Sequence, residues 1–575
     1  KSVDSELSGN VIDLCPVGAL TSKPFRYSAR PWELISRPGV SPHDCIGSNL
    51  AIEVRRNQVM RVLPRENAEV NECWLSDRDR FSYESLASAD RLLHPRIKVN
   101  GRWREVDWRT ALEFTAAGLR RTLDQHGPAA LGALAAPHAT VEEFYLLQKL
   151  MRALGSGNID HRLRSRDFSD DQRLPPFPWL GQSLSELESR KAVLLIGSNL
   201  RKDQPLLNHR LRTAWRKGAR LMAVNPVDYE FNYDLHARAI APPQEMPRVL
   251  ARIVSVLSQA IGRPLPPEVQ AWCGGEPGAA EQAIAQALQE QGAGATLLLG
   301  NLAAAHPQAA ALRALAALIA QASGAQLGVL SEANGAGGWL AGCLPHREAG
   351  GKAAEVRGRN AHDMLADPLK AYLIMGAEPA LDCRDGAAAL TALRQAEFVV
   401  ALSPFQGAAA DYAHALLPLA AFAETDGSYV NCEGRWQGCE AAVTPPGEAR
   451  PGWKILRVLG NQLNRPGFDY ISAAQVRAEV ESRPVQPSAE IVAAGLGAPP
   501  KAAGFESVVT FPAGGTRWGA PFSGRSWAEW VPTAGSASAG RKSTAVRAAR
   551  RSSSSSSGTR PTAPGLRCRG LCVRQ

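Results

Sequence analysis

Five short apolar runs constrain this chain more than any other feature: "AVLLIGSN" at 192–199, "ARLMAVNP" at 219–226, "ATLLLGN" at 295–301, "AYLIMGAEPA" at 371–380 and "EFVVALSP" at 397–404. None alternates apolar with polar residues, so each would bury both of its faces, and each is too short to be a helix. Helical patterns follow them, as "PLLNHRLRTAWRKG" follows the first. Strands buried on both faces and connected through helices form parallel sheets with helices on either side. Punctuation supports the reading. Asp107 is placed to cap a helix carrying Trp108, Leu112, Leu119 and Leu123 on one face, stopped at Gly127–Pro128. Thr140 and Glu143 form a capping box ahead of Leu147, Leu150 and Leu154, with Gly155 as the stop.

The flanks differ. Residues 31–88 hold a hairpin pattern, "NLAIEVRRNQVMRVLP", turning near Arg56–Asn57. Residues 1–30 read as the end of a domain whose body lies upstream. Beyond 485 the pattern decays into "RSSSSSSGTRPTAPG" and similar stretches, expected to be disordered and, from the abrupt shift in composition, out of the natural reading frame. The formal charge is +10, and residues 491–575 alone carry that whole excess. A nucleic-acid partner needs a positive folded face, so none is expected. No apolar run approaches the ~18–20 residues of a spanning helix; "LRALAALIAQASG", broken by Arg313, reads as a core helix.

Ten cysteines are present, and no two are spaced C-x-x-C. Most read as buried, reduced thiols. Cys15, in "SGNVIDLCPVGAL", stands apart. Cys-Pro closes a bacterial iron–sulfur run, thiolate is the soft ligand iron prefers, and Pro16 and Gly18 let backbone fold closely around sulfur. Alone, such a cysteine would be read as a packed thiol.

The surrounding run "DSELSGNVIDLCPVGALTSKPFRYSARPWEL", continued by "VMRVLPRENAEVNECWLSDRDRFSYESL", resembles the large iron–sulfur subunit, of the 75-kDa type, of proton-pumping NADH:quinone oxidoreductase, respiratory complex I. "PLAAFAETDGSYVNCEGRWQGCEAAVTPPGEARPGWKIL" resembles the closing section of a molybdopterin-oxidoreductase domain. The resemblance spans about residues 1–480. It implies an α/β, molybdopterin-oxidoreductase-like multi-layer fold with parallel sheets, preceded by a small β-rich 4Fe–4S Mo/W-type domain. The expected division is 1–30, the end of a ferredoxin-like iron–sulfur region; 31–88, the small domain; 89–485, a degenerate molybdopterin-oxidoreductase domain; and 486–575, a basic tail.

By the same resemblance Cys15 is the fourth ligand of a 4Fe–4S cluster whose other three thiolates lie upstream, together with a 2Fe–2S centre and a second, His-containing 4Fe–4S centre. Some relatives hold a further cluster in the small domain. Its four ligand positions fall on Ser41, Asp44, Ser48 and Ser76, with Cys45 out of register and Cys73 ahead of "WLS". No cluster is expected there, and these two cysteines are expected to be structural. Active molybdenum relatives ligate the metal shortly after a motif like "NIDH", where this chain has Arg166 beside Ser165. "LLIGSNLRKDQP" offers Gly197 before Ser198–Asn199 and no glycine-rich phosphate cradle, so no molybdopterin is expected. Asp160 and His161 are expected to be solvated, and Glu424, Asp426 and Glu433 to serve turns and surface pairing. No catalytic residue is assigned.

The resemblance implies single-electron relay from NADH, through flavin on a neighbouring subunit, toward quinone. The partners would be the flavin-bearing and quinone-side subunits of the peripheral arm. The place would be the cytoplasmic face of a bacterial inner membrane, with membrane contact only through the complex. The alternatives are a molybdenum-dependent, formate-dehydrogenase-like oxidoreductase and a non-catalytic assembly scaffold.

Overall fold

The computed structural model describes residues 4–483; the expectation for residues 486–575 lies outside them. The chain opens with α1 (Asn10–Leu14) and then lays down an antiparallel sheet of β1 (Ile35–Val40), β2 (Asn49–Arg55) and β3 (Gln58–Pro64), in that spatial order. The β2–β3 turn places Arg56 and Asn57 at φ +49° and +61°, the left-handed pair that a two-residue hairpin needs to match strand twist. Helix α2 (Asp77–Phe81) closes this region.

An antiparallel hairpin, β4 (Arg96–Val99) and β5 (Arg102–Glu105), leads into α3 (Trp108–His126), β6 (Leu131–Ala135), α4 (Val141–Ala153) and β7 (Ile159–Asp160). The chain then leaves to build a separate sheet from β8 (Ala192–Ile196), β9 (Arg220–Asn225), β10 (Ala237–Ile240), β11 (Ala295–Leu299) and β12 (Gln326–Val329). It is fully parallel, ordered β10-β9-β8-β11-β12. On returning, β13 (Ala371–Met375), β14 (Phe398–Ser403) and β15 (Ala415–Pro418) complete the first sheet as β5-β4-β15-β14-β13-β6-β7, parallel from β15 to β7. A last hairpin pairs β16 (Gly427–Val430) with β17 (Trp436–Cys439).

The continuous apolar runs are explained by two-sided burial. Leu373 and Met375 of β13 enter one core and Tyr372 and Ile374 the core on the opposite face. Likewise Ala192, Leu194 and Ile196 of β8 face one way and Val193 and Leu195 the other. The helix signals are realised: Asp107 accepts from Thr110 N–H at 2.7 Å, and Thr140 and Glu143 cap reciprocally at 3.3 and 2.9 Å. Gly118 brings α3 against the sheet, since a Cβ there would lie 2.1 Å from the Phe398 ring.

The interior strand β6, "LGALA", carries weak strand propensity yet is fully buried between β13 and β7. A Cβ on its Gly132 would lie 2.6 Å from Leu369, so the position is tailored to its neighbour and not to strand preference. No helix among the described residues is long and apolar enough to cross a membrane.

Candidate functional site

Cys15 ends α1, and neighbouring side chains fix that helix. Asn10 Nδ2 donates to Leu75 O at 2.7 Å and its Oδ1 accepts from Leu75 N–H at 3.0 Å. Asp77 accepts from Gly9 N–H at 2.6 Å and from the Ser8 hydroxyl at 2.5 Å. Arg80 grips Asp13. Beyond the helix Gly18 adopts φ +63°, and the chain curls around the sulfur. Hydrogen bonding from the backbone that follows, Leu20 foremost, lowers the thiol pKa below its ordinary value, and Gly18 N–H donates to the Cys15 carbonyl at 3.3 Å. A thiol of lowered pKa on a pinned helix end, partly exposed, is a donor an iron–sulfur cluster can take. The residue therefore fits one corner of such a cluster. Among the described residues no group of three or more His, Cys, Asp or Glu is arranged to hold a metal ion.

Helix α2 looks two ways. Asp77 and Arg80 hold the Cys15 segment, while Arg78 and Asp79 face inward, where the four positions Ser41, Asp44, Ser48 and Ser76 lie. These are linked to one another. Ser41 Oγ donates to Asp79 Oδ1 at 2.5 Å, Ser41 N–H to Ser48 O at 2.8 Å, and Asp79 N–H to Ser76 Oγ at 3.1 Å, capping α2. Arg78 pairs with Asp44 at 2.9 Å and reaches Asp203 O at 3.2 Å. His43 Nε2 lies 2.7 Å from Ser82 Oγ.

Burial sets the charge states here. It raises Asp44 above the usual carboxylate range, against the pull of Arg78. Burial, and then the charge of Asp44, push Asp79 up to about 6. Burial holds His43 well below the usual imidazole value. No cysteine occupies the four positions. Cys45 is buried, its carbonyl accepting from Cys432 N–H at 2.7 Å. Cys73, expected to be structural, is exposed. These residues do not fit a four-thiolate cluster. Sequence reading noticed the vacant ligand positions but missed Arg78 and Asp79; the charged "SDRDR" immediately after "CWL" was the available sign.

A cavity of about 120 Å³ lies where the two parallel sheets face each other. Segments leaving the carboxyl ends of four strands line it: Pro137 after β6, His161–Ser165 after β7, Asn301 after β11 and Leu330–Glu332 after β12. Its three lining arginines all have acidic partners. Arg162 bridges Asp160 and Asp171 at 2.9 and 2.7 Å, Arg313 holds Asp170, and Arg164 faces Glu332 at 3.9 Å. Ser165 lines the cavity and no cysteine does. At the loops after β8 and β11, Gly197 and Gly300 are pressed against Ala303 and Ser198, closing the crevice. A phosphate-bearing pterin does not fit this lining, whose cations are already matched and whose strand-end crevice is shut.

Asp160 and His161 are buried, not solvated as expected. Asp160 accepts from Arg162, which more than offsets the upward push of burial and leaves its pKa low. His161 is held by Cys343 O at 2.9 Å, and burial lowers its pKa. The pair's role is architectural. Glu424 is likewise buried, in a bidentate pair with Arg91 at 2.8 and 2.6 Å, where surface pairing was expected. Asp426 accepts from Trp453 Nε1 at 3.2 Å, and Glu433 from Leu184 N–H and Arg435, both at 2.9 Å.

Comparison with known proteins follows these segments. The family model for molybdopterin oxidoreductase matches residues 91–462. The model for the 4Fe–4S domain of NADH-ubiquinone oxidoreductase NDSU1/NuoG-like proteins matches 38–84, and the ferredoxin-like domain of NADH-quinone oxidoreductase subunit 3 matches 1–21. The chain is 30% identical over 480 residues to the mitochondrial 78 kDa subunit of NADH-ubiquinone oxidoreductase from Candida albicans, covering 83% of this chain and 59% of that protein. It is 30% identical over 488 residues to mitochondrial NADH dehydrogenase [ubiquinone] iron-sulfur protein 1 from Solanum tuberosum, covering 84% and 58%. It is 39% identical over 219 residues to an NADH-quinone oxidoreductase subunit from Rickettsia felis, covering 38% and 32%. The first two relatives are thus spanned over about three-fifths of their length. Among solved structures, acetylene hydratase from Pelobacter acetylenicus matches with a TM-score of 0.57 at 16% identity, covering 74% of this chain and 69% of that one, a likeness of fold alone.

Proposed function

Because this chain belongs to the molybdopterin oxidoreductase family and, within it, to the large iron–sulfur subunits of NADH:quinone oxidoreductase, we propose that it serves as an electron-relay subunit of that complex. Electrons from NADH, delivered through flavin on a partner subunit, pass along iron–sulfur clusters toward quinone. The observation that carries the proposal is the placement of Cys15, partly exposed at the end of a helix pinned through Asn10, Asp77 and Arg80. We assign Cys15 as one ligand of a 4Fe–4S cluster whose remaining ligands lie outside the described residues. A cluster there supplies reversible one-electron chemistry. The protein's share is to hold the sulfur as thiolate on a pinned helix end and to donate N–H groups that tune the potential.

The assignment includes two absences. The 38–84 segment keeps its fold without a cluster, its ligand positions filled by the Ser41–Asp79 and Asp44–Arg78 network. The large domain works without molybdopterin, as a scaffold. The domain limits follow the same logic: 1–30 for the cluster region, 31–88 for the small domain, 89–485 for the large one. The partners are the flavin-bearing and quinone-side subunits, and the place is the cytoplasmic face of a bacterial inner membrane, reached through the complex.

Electron paramagnetic resonance of the intact gene product, reduced stepwise, tests this. Cys15→Ala removes one 4Fe–4S signal, and Cys45→Ala leaves all signals in place. If every signal survives Cys15→Ala, the ligand assignment is wrong. Stoichiometric molybdenum in the purified native protein favours a formate-dehydrogenase-like oxidoreductase instead.

A further inference from the structure

Two buried cysteines that the electron relay does not use meet where the small antiparallel sheet joins the last hairpin. Cys45, in the loop from β1 to β2, is 1% exposed, and Cys432, in the turn from β16 to β17, is fully buried. Cys432 N–H donates to Cys45 O at 2.7 Å. By standard backbone dimensions a bond of that length holds the two Cα atoms within about 6.6 Å whatever its angle. A disulfide needs a Cα separation of about 4.4–6.8 Å.

Side-chain placement meets the second requirement of such a bond. Both cysteines belong to one apolar cluster, with Ile46, Leu180 and Leu184 among its members. Hydrogen bonding with the Cys45 side chain, foremost, and then burial raise the Cys432 thiol pKa. The flanking residues fix the two segments against each other. Leu180 N–H donates to Cys432 O at 2.7 Å, Gln437 Nε2 to Gly47 O at 2.9 Å, and Asn49 Nδ2 to Gln437 Oε1 at 2.7 Å. The segments 45–49 and 431–437 thus form one seam, and joining the sulfurs asks for little movement. The seam also reaches the surface close by, since Glu433 and Gly434 are half-buried and Arg435 is exposed.

We propose that Cys45 and Cys432 are a reversible disulfide site, closed by a hydroperoxide and opened by a dithiol, that ties the small sheet to the β16–β17 hairpin. One sulfur attacks the peroxide O–O bond and becomes a sulfenic acid as the first hydroxyl group leaves. The second thiol then displaces the remaining hydroxyl as water, and the S–S bond forms. The two thiols give up two electrons and two protons, and the peroxide takes up both. A dithiol reverses the step by thiol–disulfide exchange. The reactive moment is a local opening of the 431–435 turn, because in the closed seam the Cys432 thiol is buried and keeps its proton. Once made, the bond joins segments hundreds of residues apart and restricts the unfolded chain. The site is independent of Cys15 and of any electron relay.

Hydrogen peroxide is the probe. The reduced full chain is exposed to it, remaining thiols are blocked with N-ethylmaleimide, and the digest is mapped by mass spectrometry. One cross-linked peptide pair, Cys45 with Cys432, is expected in most molecules, and dithiothreitol returns it to the separate peptides. The closed form melts at a higher temperature than the reduced form, and the difference vanishes with dithiothreitol or in Cys432→Ser. Cys73→Ser, which removes an exposed thiol, leaves the cross-link yield unchanged. Should Cys432→Ser not fold, Cys45→Ala replaces it, and the peptide map of the parent needs no variant. Absence of the Cys45–Cys432 pair at every peroxide concentration short of unfolding overturns the proposal, as does cross-linking of either cysteine chiefly to another. So does a lower melting temperature of the closed form, since the native seam would then have to break to accept the bond.

Discussion

The loop around Cys15 and the four-position site beneath α2 are neighbours, held by opposite faces of one short helix, and they have opposite character. Around Cys15 the chain curls through Gly18 at φ +63° and leaves the sulfur partly exposed. Beneath α2, Ser41, Asp44 and Ser76 are engaged with Asp79 and Arg78, in full burial. The first leaves a sulfur open to solvent. The second pairs most of its polar atoms, with Ser48 Oγ and Asp79 Oδ2 left without a hydrogen bond. The difference shows how serine and aspartate are kept in a dry interior: their polar atoms persist there where neighbouring charges bond to them.

The contrast predicts that stability resides in the closed site and cofactor chemistry in the open one. The largest effect is expected from Arg78→Met, which strands buried Asp44 and Asp79 without a counter-charge. It should destabilise by about 3–5 kcal/mol in urea unfolding near neutral pH. A loss under 1 kcal/mol would mean that the network does not hold the small domain together.

Next is the pH dependence of Asp79. Its folded pKa of about 6 lies above the unfolded value of 3.8, so the folded state holds the proton more tightly. The associated stability is complete below the unfolded pKa and is lost as pH rises through about 6. Asp79→Asn, which still accepts from Ser41, should therefore gain stability over the parent between pH 4 and 8, by up to about 3 kcal/mol at the upper end. The two should coincide below pH 4. Parallel melting curves across that range would contradict the assignment.

A smaller change is expected from Ser48→Ala. Its hydroxyl is fully buried and makes no hydrogen bond, so removal should cost nothing measurable and gain up to about 1 kcal/mol. A clear loss in the melting midpoint would reveal that the site is less complete than its geometry. Smallest for stability is Cys15→Ser, which should leave the thermal midpoint of the iron-free chain in place while abolishing a cluster signal in the intact gene product. A drop in midpoint would make Cys15 a packing residue and erase the contrast.

Legibility in the sequence followed the range of the interactions. The runs at 192–196 and 371–375 announced buried parallel strands because both faces needed apolar side chains. Asp107, Thr140 and Glu143 announced helix starts because a cap bonds within three residues. Cys15 was visible through its Pro and Gly neighbours, which shape the loop locally. Strand β6 was not visible: leucine, glycine and alanine carry little strand preference, and only the fit of Gly132 against Leu369 selects them. His161 and Glu424 looked like surface residues because their partners, the Cys343 carbonyl and Arg91, arrive from far along the chain, and Asp160, though paired with nearby Arg162, is buried by the same distant packing.

By itself the sequence determined the layered α/β architecture, the absence of cysteine at positions 41, 44, 48 and 76, and the lone Cys-Pro at the front, since each is written in residue type and short spacing. Tertiary structure alone decided that α1 is pinned through Leu75, Asp77 and Arg80, and that Arg78 and Asp79 bond to Asp44 and Ser41. Burial and the pairing of charges arise between segments hundreds of residues apart, where Arg91 meets Glu424, and no local pattern encodes which distant group will arrive.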